Sequence, residues 1–106
     1  MDILLVEDDM TLFKELSEEL EQWDFNVNGI DDFNDVMTKF ESVNPAIVIM
    51  DVKLPKYDGF YWTRKIREVS NTPILFLILK LFIYLRLGLT LHRGWHAVAQ
   101  SQLTAT

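Results

Sequence analysis

The sequence predicts an α/β domain, a doubly wound parallel sheet with helices on both faces. Three observations predict it. Residues 3–6 and 46–50 are continuous apolar runs rather than alternating ones, as strands covered on both faces are. Segments with helical spacing separate the strand-like segments as far as residue 77, and such alternation implies parallel strands joined by helical crossovers. Acidic residues stand directly behind both runs, Glu7-Asp8-Asp9 behind the first and Asp51 behind the second. In open sheets of this class ligands bind outside the carboxyl ends of the strands.

Each element has its own signature. Ile3, Leu4, Leu5 and Val6 form the first strand. Leu12, Phe13, Leu16, Leu20 and Trp23 then recur at helical spacing, with Glu15, Glu18, Glu19 and Glu21 on the opposite face. Val27 and Ile30 bracket a weaker, edge-like strand. Asp31 or Asp32 is the expected cap of a second helix whose apolar face reads Phe33, Val36, Met37 and Phe40. Residues 46–50, largely β-branched, form the clearest strand, preceded by Pro45 and ending on Asp51. Asp58-Gly59 is a turn signal. A third helix is expected over 60–69 with Phe60, Thr63 and Ile66 inward. Asn71, Thr72 and Pro73 break it, and residues 74–77 begin a fourth strand.

Composition narrows the function classes. With 106 residues there is room for one small domain. The absence of cysteine excludes a disulfide framework and a thiolate metal site. No basic stretch followed by an apolar run opens the chain, so no signal peptide is expected and a cytoplasmic location is. Residues 1–77 hold 7 Lys/Arg against 16 Asp/Glu, a net of −9, whereas residues 78–106 hold three cations and no acid. An acidic front half disfavours direct nucleic-acid binding. The abrupt loss of acids marks a change of character near residue 78.

Carboxylates converging at strand ends repel one another, and a divalent cation among them relieves the repulsion. An all-oxygen donor set suits a hard ion such as Mg²⁺. A carboxylate is also a competent nucleophile for phosphoryl transfer. Taken alone, Glu7, Asp8 and Asp9 read as a solvated loop and helix cap. Asp51 at the same sheet edge favours a functional cluster.

At these residues the chain resembles a family. Residues 3–9 and 47–55, followed by Asp58-Gly59, look like the receiver domain of two-component response regulators, most similar to the winged-helix regulators of Gram-positive bacteria. The resemblance covers residues 1–77. It implies a flavodoxin-like fold, here truncated after the fourth strand, and phosphorelay signalling as an acceptor rather than as an enzyme. Asp51 would receive the phosphoryl group from a sensor histidine kinase. Asp8 would bind Mg²⁺ directly and Glu7 through water, with the backbone carbonyl of Lys53 as a further ligand. Leu54-Pro55 and Asp58-Gly59 would shape the adjoining loop.

The departures lie downstream. The family places a Ser or Thr at the end of its fourth strand, where this chain has Ile78, which cannot donate a hydrogen bond. The family's fifth-strand Lys has no counterpart, Lys80 standing too close to the fourth strand. The last helix, usually the dimer face, is missing as well. An intact receiver's switching is therefore not expected. Residues 85–105 resemble a conceptual translation of an antisense Alu repeat, and a frameshift predicts the same loss of pattern, so 78–106 reads as a non-homologous apolar segment and tail.

Other features have plainer readings. Trp23, Phe33, Phe40, Phe60 and Trp62 read as core or half-core rather than a binding stripe. His92 and His96 lack a third ligand for a metal site. Residues 74–91 approach the length of a membrane span, but Lys80 and Arg86 oppose insertion. Two rivals to phosphorelay signalling remain, a binding or decoy module that is never phosphorylated and a membrane-associated fragment.

Overall fold

Three aspartates start the three helices among the described residues. Each places a carboxylate oxygen on the otherwise unbonded amide groups of a first helical turn. Asp9 Oδ1 accepts from Thr11 N at 3.0 Å and Leu12 N at 3.2 Å, opening α1 (Met10–Glu21). Asp35 Oδ1 accepts from Thr38 N at 3.2 Å, opening α2 (Val36–Val43). Asp58 Oδ1 accepts from Tyr61 N at 2.8 Å, opening α3 (Gly59–Arg67). Asn44, in the left-handed region at φ 50°, closes α2 by donating its amide to Phe40 O.

The structure, a computed structural model, describes residues 1–77. Between the helices run β1 (Asp2–Val6), β2 (Asn26–Asn28), β3 (Ile47–Met50) and β4 (Ile74–Phe76). They form one parallel sheet in the order β2-β1-β3-β4. The doubly wound sheet expected from the alternation of elements is thus present. Side chains alternate across it. Leu4, Val6, Val48 and Met50 join Val36 and Phe40 of α2 and Trp62 and Ile66 of α3 in one core. Ile3, Leu5 and Ile49 join Leu16 of α1 and Leu77 in the other. Burial on both faces is why these two strands lack the alternating polarity of a half-exposed strand.

The helices differ from expectation at three places. Trp23 does not extend the apolar face of α1. The chain reverses after Glu21, with Asp24 at φ 66° and Phe25 N donating to Leu20 O, so Phe25 turns inward and Trp23 is 67% exposed. The second helix is capped by Asp35, not by Asp31 or Asp32. Asp32 is engaged in a preceding turn, accepting from Asn34 N at 2.9 Å, and Asp31 pairs with Lys39 at 3.4 Å. Phe33 accordingly packs from that turn rather than from the helix. In α3 the inward residues are Gly59, Trp62 and Ile66. Phe60 is 47% exposed, its ring tilted against Phe76 at 5.2 Å, and Thr63 is half-buried with Oγ1 donating to Gly59 O. Phe40 and Trp62 are core residues as expected, whereas Trp23 and Phe60 are not.

Among the described residues no helix is long and apolar enough to cross a membrane. The expectations placed on Ile78, Lys80, His92, His96 and the rest of 78–106 lie outside the described residues.

Two measurements test this packing. In urea denaturation Ile66→Ala should lose about 2–5 kcal/mol, the range for emptying a buried aliphatic site, while Trp23→Ala should stay within about 0.5 kcal/mol of wild type. Equal losses would contradict the reversal after Glu21. Hydrogen bonds from the Thr38 side chain and amide hold the Asp35 carboxyl below its ordinary value of 3.8. A depressed folded-state pKa gives stability that is complete above the unfolded value and fades as pH falls through the folded one. Asp35→Asn should therefore flatten the acid limb of a stability-versus-pH curve below about pH 4, and an unchanged limb would refute it.

Candidate functional site

The register of two strands builds the site. Val6 pairs with Met50 across β1 and β3, so the next residue on each strand, Glu7 and Asp51, leaves the sheet beside the other. Asp51 N completes the ladder by donating to Val6 O at 3.0 Å. The strand order makes this the switch point of the sheet, since the chain leaves β1 toward β2 on one side and returns to β3 on the other. At such a point the connecting segments diverge and a crevice opens.

Both acids are buried, Glu7 to 1% exposure and Asp51 to 2%. Asp8 is exposed at the rim, and ligand oxygens of Glu7, Asp8 and Asp51 all lie within 4.8 Å of one another. Asp9 stands apart as the cap of α1, so the helix-cap reading holds for that residue of the triplet and not for the other two. Its amide donates to Glu7 Oε2 at 3.0 Å, which orients the buried glutamate. An open cleft of about 290 Å³ lies beside Glu7, bounded by Met10, Phe13, Gly29, Ile30, Asp31 and Lys39.

The loop after β3 wraps the second carboxylate. Lys53 N donates to Asp51 Oδ1 at 3.3 Å, while its side chain is exposed. Leu54 anchors the loop on the core. Tyr57 N then bonds Pro55 O at 2.9 Å around Lys56, whose φ is 70°. This is a γ-turn of the sterically costly hand. Gly59 N donates to Val52 O at 2.8 Å and ties the start of α3 back to the loop. Sequence reasoning found Glu7, Asp8, Asp51 and Lys53, and the structure gathers the three carboxylates with the Lys53 backbone beside them. It missed Asp58 as a helix cap and the strained Lys56. The missed signal for Asp58 was available, an Asp before a helical pattern being a cap as readily as a turn residue.

The donor set fits a hard divalent cation. It is all oxygen, and it joins two buried acids to one at the rim.

The family model of the response regulator receiver domain matches residues 3–80. The chain belongs to this family. Response regulator protein GraR of Staphylococcus aureus strains JH9 and Newman is 77% identical to it over 77 residues, 73% of this chain and 34% of the relative. The chain thus spans about a third of the length of the curated relatives it matches. Among solved structures it is similar to the N-terminal domain of the nisin resistance regulator NsrR, a lantibiotic response regulator. There the TM-score is 0.67 at 30% identity, covering 98% of this chain and 95% of that one. It is also similar to a chain in the complex of histidine kinase ThkA with response regulator protein TrrA. In that case the TM-score is 0.64 at 26% identity, covering 71% of this chain and 66% of that one. The receiver fold and a role in phosphorelay signal transduction follow, as a signalling module.

Gathering like charges in a buried site raises the free energy of the metal-free chain. Asp51→Asn should therefore raise the melting temperature in the presence of a chelator. The advantage should shrink or reverse in millimolar Mg²⁺, because only wild type gains binding energy there. A variant less stable than wild type in chelator would show that repulsion is not what this site carries.

Proposed function

We propose that Asp51 is the phospho-acceptor and that its donor is the phosphohistidine of a sensor histidine kinase. The observation that carries this reading is the burial of Asp51 at the switch point with its oxygens against those of Glu7 and Asp8. In the transfer a carboxylate oxygen of Asp51 attacks phosphorus. The new P–O bond forms as the P–N bond breaks, and the imidazole nitrogen keeps the bonding pair. The fixed backbone of Asp51, held on Val6 O, presents the oxygen without reorganisation. The hydrogen bond from Lys53 N to Oδ1 helps to orient the carboxylate.

Mg²⁺ would be held by Asp8, Asp51 and the backbone carbonyl of Lys53, with Glu7 acting through water. When bound it supplies positive charge against the transferring group. The exposed Asp8 is suited to exchange with solvent, and Glu7, oriented by Asp9 N, is suited to hold a water molecule. The kinase-bound relative of the ThkA–TrrA complex supports a kinase as the donor. We also read residues 1–77 as receiver sequence and 78–106 as unrelated to it, which is supported by the family match ending at residue 80. A location in the cytoplasm belongs to the same reading.

The test is labelling of the full chain with acetyl phosphate in Mg²⁺, followed by mass spectrometry. Label should map to Asp51 and be absent from Asp51→Asn. In calorimetric titration Asp8→Ala should bind Mg²⁺ about 10–100-fold more weakly, as loss of a ligand or its support does. Undiminished labelling of Asp51→Asn would overturn the acceptor assignment. Equal affinity for wild type and Asp8→Ala would remove the metal site.

A further inference from the structure

Gly59 touches the acceptor residue more closely than any side chain could. A Cβ at this position would lie 2.2 Å from the carbonyl oxygen of Asp51, 3.0 Å from its carbonyl carbon and 3.0 Å from Met50 Cγ. The backbone of Gly59 is outside the left-handed region, so conformation does not demand glycine here. Space does. The atom in the way is main chain, and that main chain cannot yield. Met50 is fully buried, and Asp51 is held through its amide on Val6 O. Relief must come from α3, whose first turn would have to lift.

That lift would not stop at the helix. Gly59 N is bonded to Val52 O, one residue from Lys53, and Lys53 N is bonded to Asp51 Oδ1. The first turn of α3, the Val52–Lys53 segment and the Asp51 carboxylate form one continuous hydrogen-bonded path. We infer that Gly59 is a positioning residue for phosphoryl transfer: its missing side chain seats α3 directly on the Asp51 carbonyl and so sets the loop that orients the acceptor carboxylate. The inference rests on the reading of Asp51 as acceptor.

A second glycine supplies the control. A Cβ at Gly29 would meet the ring of Phe13 at 2.8 Å, a less severe contact than at Gly59, and with the far end of a side chain rather than with the main chain of Asp51. The full chain carrying Gly59→Ala, Gly29→Ala or Asp58→Ala should be compared with wild type under conditions where each is folded by circular dichroism. Asp58→Ala removes the cap of the same first turn without adding bulk, and it decides the matter should Gly59→Ala not fold. Expected for Gly59→Ala is a rise in half-saturating Mg²⁺ and a fall in the acetyl phosphate labelling rate of about tenfold or more, the scale of lost support behind a ligand. Asp58→Ala should move both the same way by a smaller factor, after correction for folded fraction. Amide NMR of the metal-free chain gives a reading independent of transfer. Asp51 and Lys53 should shift in Gly59→Ala and not in Gly29→Ala. Were wild type never to label, the acceptor reading would fail while these shifts still judged the positioning. Asp51 and Lys53 amides that shift no more in Gly59→Ala than in Gly29→Ala, or Mg²⁺ affinity and labelling rate unchanged in both Gly59→Ala and Asp58→Ala, would overturn the inference.

Discussion

The parallel pairing of β1 with β3 is the constraint on which the rest of this domain depends. Both strands are buried on both faces, so neither can slip by one residue without turning its apolar side chains into the wrong layer. That rigidity fixes Val6 opposite Met50, and everything beyond the two strand ends inherits the alignment. Two acidic residues that would repel one another in a mobile loop are held side by side because the apolar segments beneath them have no alternative arrangement. Hydrophobic burial over the length of the strands thus supports an electrostatically unfavourable arrangement at their tips.

The surroundings of Asp51 extend the same logic. Its amide bonds β1, its carbonyl lies under Gly59, and its carboxylate accepts from Lys53 N. Three separate elements therefore touch one residue, each through the backbone. Backbone contacts hold position better than long side chains do, since they carry no rotamer freedom of their own. The strained γ-turn at Lys56 is the local cost of returning the chain to α3 so soon after β3.

Much of this was legible in the sequence, for identifiable reasons. The strands at 3–6 and 46–50 announced themselves by continuous apolar runs, and the acids that follow them marked the functional edge. Their convergence follows from topology, because every strand of a parallel sheet ends on the same side. What was not legible depended on chain reversals. Trp23 continues the helical period of α1 on paper, yet a positive φ at Asp24 turns the backbone and sends Phe25 inward in its place. Phe60 and Trp62 are equally apolar candidates for the inward face of α3, and only the start of the helix at Gly59 decides between them. The second helix has several acids before it, and the cap is the one left over after Asp32 closes a turn. The close approach of Gly59 to Asp51 is a tertiary contact that no spacing reports.

The sheet order carries a consequence for how the site comes into being. Among the described residues no strand pairs with a neighbour through a tight hairpin. Ile3 meets Val27 on one side and Ile47 on the other, and Val48 meets Ile74. Every one of these pairings closes a long loop before any burial rewards it, so nucleation by local contacts contributes little. The acidic cluster joins the first strand to the third, which means that it exists only in molecules that have completed the most distant closure within β1, α1, β2, α2 and β3. A partly folded species that keeps its helices but has lost the β1–β3 ladder has no residual site. Competence in this domain is acquired and lost as a whole.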